Sequence, residues 1–205
     1  MGKAENNKKK KKEALLDTAF ELFTSKGVHD TSISDIVKLA GIGKGTFYLY
    51  FKDKYDIHNL LISNKSGQLF SAAVSDLNKE HILSFENRII FIVNHIINQL
   101  NEDKTLLNLI SKNLSWGYFK HALIDRPNVD DVDFYETYQT MIREAEYKIA
   151  EPEIMLFMII ELVSATCYSS ILYSEPVPLE KLKPYLFKSI RNIIHEHICR
   201  PDEGL

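Results

Sequence analysis

The sequence predicts an all-α fold: a three-helix head containing a helix-turn-helix, then a larger helical bundle body, about nine helices in all. Three observations predict it. Apolar residues recur at helical spacing through nearly the whole chain of 205 residues, and strand-like alternation stands out nowhere. Residues 32–51, SISDIVKLAGIGKGTFYLYF, set a glycine-bracketed turn between two short helical segments. Near the end, two long apolar helical segments are separated by Pro176 and Pro178.

Composition fits such a fold. With 45% apolar residues the chain can bury a sizeable core, and 26% charged residues suits a soluble protein. The net charge of −3 says nothing of partners, but its distribution does. Residues 1–54 hold 11 Lys and Arg against 7 Asp and Glu, while the remaining residues hold 14 against 21. A basic head on an acidic body fits a protein that touches a polyanion at one end.

In chain order, residues 8–12 are five consecutive lysines. They read either as a solvated flexible tail or as a basic arm adding phosphate contacts to DNA. A first helix runs to about Lys26, its stripe of Leu15, Leu16, Ala19, Phe20, Leu22 and Phe23 facing a small core, and Gly27 ends it. In the next helix Ile33, Ile36, Val37 and Ala40 repeat at helical spacing, and Ser32 with Asp35 makes a capping signal. After Gly41-Ile42-Gly43, a segment at about 44–51 directs Phe47 and Phe51 inward. Its other side carries Gly45, Thr46, Leu49 and Tyr50, with no acidic side chain. Asp53 is a plausible N-cap for a long fourth helix.

The body continues with Phe70, Ala73, Val74 and Leu77, then a fifth helix opened by Ser84 with a wide isoleucine-rich face. A sixth helix is expected from about Lys104 toward Leu123, an acidic loop over 125–133, and a seventh helix using Phe134, Tyr138, Met141, Ile142 and Ala145. The eighth, from about Pro152 to Tyr173, is apolar nearly all round and must be covered on two sides. Glu161 inside it needs a partner, for which Arg191 is the nearest candidate by placement.

Catalysis is not indicated. No GxSxG, P-loop or GxGxxG string is present, and Asp130-Asp131 sits in a polar loop. His195 and Cys199 share a helix face, but two ligands without a third are half a metal site, so no metal or cofactor is expected. Cys167 and Cys199 suggest no disulfide framework. The opening residues lack an apolar signal core, and the longest apolar run, 154–160, is far short of the ~20 residues a membrane span needs. A cytoplasmic protein without a membrane partner is expected.

The strings TSISDI at 31–36, AGIGKGTFY at 40–48 and YFKDK at 50–54 closely resemble the DNA-binding domain of the TetR (tetracycline-repressor) family, without a gap from about Ala14 to Leu61. The resemblance implies a ligand-responsive transcriptional regulator, most often a repressor, that binds a palindromic operator in double-stranded DNA as a homodimer and is released by a small-molecule effector. It divides the chain into a flexible basic arm (1–12), a helix-turn-helix domain (13–56) and an effector-binding and dimerisation domain (57–205). Carried over by position, the DNA-binding residues are Ser32, Ser34, Gly43, Lys44, Gly45, Thr46, Tyr48, Leu49, Tyr50, Lys52 and Lys54, with Lys54 holding phosphate. Gly43 stands where the family often has Ser or Thr. Leu49 replaces a commonly aromatic or polar residue and would pack on a thymine methyl. An effector pocket is expected to use Trp116, Phe119, Tyr135, Tyr138 and Met141. The last two helices would pair with their copies through Met155, Met158, Ile159, Leu162, Leu182, Leu186, Ile190 and Ile193. The alternative is a small-molecule binding or scaffold protein that has lost sequence-specific DNA binding.

Overall fold

The computed structural model describes residues 3–111 and 134–199. Among them are nine helices and no strand; a single antiparallel bridge joins Ile149 and Ile198. The chain forms two compact units, Met1–Asn64 and Lys65–Leu205.

The head begins with α1 (Lys3–Lys26). The predicted flexible arm is therefore corrected: residues 8–12 are turns of this helix. The physical reason is propensity, since no Gly or Pro interrupts residues 3–26, and Lys, Glu, Ala and Leu are strong helix formers. Leu15, Ala19, Leu22 and Phe23 of α1 are buried, as expected. Gly27 turns the chain at φ +89°, a left-handed conformation that favours glycine. Thr31 is buried at the following corner, where its hydroxyl donates to the Gly27 carbonyl at 2.8 Å. Then α2 (Ile33–Leu39) starts on a complete capping box: Asp35 N–H donates to Ser32 Oγ, and Ser32 N–H donates back to Asp35 Oδ2 at 3.0 Å. The Ser32 N–H, the Ser32 hydroxyl, which donates to Asp35 Oδ2 at 2.9 Å, and Lys26 lower the Asp35 pKa.

A turn through Gly41, at φ +66°, leads to α3 (Lys44–Phe47). This helix is shorter than the predicted 44–51. Past Phe47 the chain continues as tight turns, with Leu49 N–H on Thr46 O and Phe51 N–H on Phe47 O. Phe47 and Phe51 are buried and touch, ring centroids 5.5 Å apart, so the predicted inward pair holds. Asp53 caps α4 (Lys54–Leu77) by accepting from the N–H groups of Tyr55 and Asp56, as expected.

In the second unit, α5 (Phe85–Glu102) opens on Ser84, and α6 (Lys104–Ser111) follows. The rest of the predicted sixth helix and the acidic loop lie outside the described residues. The order then runs α7 (Phe134–Arg143), α8 (Pro152–Tyr173) and α9 (Leu179–Glu196). One core joins these elements, including Leu69 and Phe70 of α4, Ile92 and Ile97 of α5, Met141 of α7, Ile159 of α8 and Ile190 of α9. The Ser170 hydroxyl donates to Val177 O at 2.7 Å and ties the α8–α9 connection. Arg191, the residue expected to meet Glu161, pairs with Glu86 of α5. That choice is made by helix packing, which spacing along the chain does not reveal.

Candidate nucleic-acid interface and effector cavity

In the head, the buried aromatic pair fixes the segment that carries the predicted DNA-binding residues. With Phe47 and Phe51 as anchors, Gly43, Lys44, Gly45, Tyr48 and Leu49 are exposed, while Thr46 and Tyr50 are half-buried. Tyr48 stands edge-on to Phe47 at 5.5 Å, and Leu49 is 78% exposed.

The glycines of this segment are informative. Gly27 and Gly41 need positive φ, but Gly43 and Gly45 do not. A Cβ added at Gly45 would meet nothing within 4 Å, and one at Gly43 would meet only Thr46 Oγ1 at 4.0 Å. Neither backbone geometry nor internal packing requires these two glycines. Gly43 is the N-cap of α3, where glycine is well tolerated, whereas Gly45 lies inside the helix, where glycine costs roughly 0.5–1 kcal/mol relative to alanine.

Ser32 and Ser34 are exposed at the start of α2, though the Ser32 hydroxyl is spent on Asp35. Lys52 is exposed, and its N–H donates to Asp56 Oδ2. Lys54 departs from expectation. Its ammonium donates to the carbonyls of Val28, His29 and Thr31 at 2.8, 2.9 and 3.1 Å. All three donors of the head group are used on backbone. The predicted phosphate-holding role is corrected: Lys54 closes the α1–α2 corner, because that loop turns its carbonyls toward the start of α4.

In the second unit a cavity of ≈130 Å³ lies among α4, α5, α6, α7 and α8. Its wall is almost wholly apolar, with Phe70, Ile89, Val93, Ile96, Phe134 and Leu156 prominent. Phe134 packs on Phe70 at 4.5 Å and stacks on Tyr138 at 6.3 Å. Of the predicted pocket residues, Tyr138 and Met141 line it. The Tyr138 hydroxyl donates to Pro152 O at 2.6 Å, and burial, then the Glu153 carboxylate, raise its pKa. Tyr135 is 36% exposed and is absent from the wall, a correction set by its position one residue off the inward stripe of α7. Trp116 and Phe119 lie outside the described residues. The aliphatic wall contributed by α5 was missed, since isoleucines at helical spacing look the same whether they line a cavity or fill a core.

The predicted pairing face also divides. Met155, Ile159, Leu186 and Ile190 are at most 3% exposed within the chain itself, so they are corrected from interface to core. Leu162, Leu182 and Ile193 are partly buried against that core, and Met158 is 41% exposed. Beside Met158 on α8, Ile154 and Phe157 are 49% and 40% exposed. Over 18 residues α8 has a mean hydropathy of 1.8, and by length and composition it is apolar enough to cross a membrane. Its inner face, however, belongs to the core of the helical body.

These features define an all-helical protein whose N-terminal unit carries a helix-turn-helix. Residues 15–59 match the family described as bacterial regulatory proteins, tetR family. The match covers the helix-turn-helix head of the chain. The chain is 37% identical over 81 residues to the fatty acid metabolism regulator protein of Bacillus subtilis (strain 168), covering 40% of this chain. The chain spans 41% of the length of that relative. Among solved structures, the transcriptional regulator FadR from Bacillus subtilis in complex with stearoyl-CoA is 20% identical, with a TM-score of 0.59 over 89% of this chain and 99% of that one. SmeT, the repressor of the Stenotrophomonas maltophilia multidrug efflux pump SmeDEF, is 18% identical, with a TM-score of 0.61 over 93% and 91%. At these identities the two structures bear on the fold alone.

Proposed function

We propose that the chain is a ligand-responsive transcriptional repressor that binds a palindromic operator as a homodimer. The exposed Gly43–Gly45 face on its phenylalanine anchor carries this reading, because it offers a side-chain-free approach that the protein itself does not use. Two such segments related by a two-fold axis would enter successive major grooves roughly 34 Å apart, or somewhat more. The exposed stripe Ile154, Phe157 and Met158 of α8 is the surface a second copy would cover.

The effector presents an aliphatic or acyl chain, given the apolar wall of the cavity and the stearoyl-CoA held by the FadR structure. At ≈130 Å³ the cavity is close to the ~150 Å³ apolar void known to accept benzene. A longer chain enters only when the surrounding helices separate. Such a ligand binds the separated arrangement preferentially, and α4 is the element that supplies residues both to the cavity wall and to the head. A ~100-fold preference corresponds to about 2.7 kcal/mol of coupling.

Selection from random oligonucleotides with the purified protein, followed by gel-shift titration with acyl-CoA thioesters of graded length, tests both halves. A palindromic consensus released by one chain-length class is expected, with Val93→Phe abolishing the response but not operator binding. Failure to enrich any sequence overturns the repressor reading in favour of a protein that no longer reads DNA. An unaltered response in Val93→Phe places the effector elsewhere.

A further inference from the structure

The lysine run is the strongest feature that the reading above leaves unused. As part of α1 it has two faces. Residues 5, 8, 9 and 12 follow one another at spacings of three, one and three, so that 5/8, 5/9, 8/12 and 9/12 are pairs three or four apart on one side of the helix. That side forms a groove of ≈450 Å³, lined by Glu5, Asn6, Lys8, Lys9 and Lys12, with Leu49 and Tyr50 of the segment after α3 completing it. Lys10 and Lys11 are not part of the groove. The lysines nearest the groove-reading segment are therefore a chosen three of five.

We infer that Lys8, Lys9 and Lys12 form a phosphate-binding surface, clamping the DNA backbone beside the base edges that Leu49 and Tyr50 approach. Three observations converge on a duplex as the occupant. The groove places three ammonium groups against one carboxylate, Glu5. It shares a wall with the segment carrying the exposed small-residue face. And Lys8–Lys12 and Lys9–Lys12 are like-charge pairs at helical contact spacing on the groove side of α1. A polyanion along this face removes that repulsion. The surface adds affinity without reading sequence, as phosphate contacts do.

The inference rests on the DNA-binding reading, so the test separates the two. Fluorescence anisotropy is followed across a KCl series on the selected operator and on a scrambled duplex. Proteins compared are the full chain, K8Q/K9Q/K12Q, K10Q/K11Q and K8R/K9R/K12R. Gln and Lys have similar helix propensity, and far-UV circular dichroism checks that α1 is kept. The expected result is a log K against log [KCl] slope reduced by about 0.9 per engaged lysine, about 2.7 per subunit, in K8Q/K9Q/K12Q. K10Q/K11Q changes it by less than one engaged lysine's worth, and K8R/K9R/K12R retains the wild-type slope. Equal loss per lysine in the two Gln variants, or no loss in either, overturns the clamp. Wild-type protein that does not distinguish operator from scrambled duplex overturns the repressor reading, while the slopes on the scrambled duplex still decide the lysine face.

Discussion

Lys54 Nζ donates to the carbonyl oxygen of Val28 at 2.8 Å, bridging 26 positions of sequence within the head. With His29 and Thr31 also accepting from it, the side chain fastens the start of α4 to the corner after α1. Lys54→Met should lower thermal stability of the head by about 1–3 kcal/mol, the range for hydrogen bonds to a charged group that is partly screened by water. The salt slope of DNA binding should stay unchanged. A stable Lys54→Met protein with a shallower slope would instead return the ammonium to the phosphate backbone.

Gly45 supplies the opposite kind of test. Gly45→Ala should leave the head as stable or add up to about 1 kcal/mol, since its Cβ meets nothing within 4 Å. Operator affinity should drop by about tenfold or more, equivalent to roughly 1.4 kcal/mol. Undiminished affinity would mean that no backbone approaches this position.

His58 couples the head to pH. It is 6% exposed, with its ring edge-on to Phe23 at 5.4 Å. Burial lowers its pKa, opposed only in part by a hydrogen bond with Asn59. The folded head holds His58 neutral, whereas the unfolded chain takes up a proton near the ordinary imidazole value of 6.5. Its contribution is therefore full above that pH and is lost as pH falls through the folded value. Melting curves between about pH 7.5 and pH 5.5 should show a larger drop for wild type than for His58→Phe. Parallel drops would rule His58 out as the cause.

On α8, neighbouring residues should fail in different ways. Ile159→Ala opens a void in the core, where such truncations of large aliphatic side chains cost about 2–5 kcal/mol, and should lower the melting temperature. Met158→Glu, on the exposed stripe, should keep the helical spectrum but convert dimer to monomer in sedimentation velocity. A dimeric Met158→Glu protein would move the pairing surface off this stripe.

Much of the head was legible because its signals are local. Ser32 with Asp35, the stops at Gly27 and Gly41, the inward Phe47 and Phe51, and the Asp53 cap each involve residues a few positions apart. Local backbone geometry is enough to specify them. Misreadings arose where an outcome depended on distant partners. The ammonium of Lys54 was assigned to DNA because the carbonyls it meets belong to residues 28–31. Met155 and Ile159 were placed at an interface because α8 is apolar on every side. Its composition alone offers no way to tell which stripe faces inward.

By itself, the sequence determined the helical class and the helix-turn-helix, since periodicity, caps and turn glycines act over one or two helical turns. Only the tertiary structure decided which half of the isoleucine-rich surface encloses a cavity, which part of α8 stays exposed, and which lysines of α1 share a groove with Leu49 and Tyr50. Those outcomes depend on the phase at which one helix meets another. That phase is set by packing between segments far apart in the chain, and a one-residue rotation of 100° about a helix axis is enough to change it.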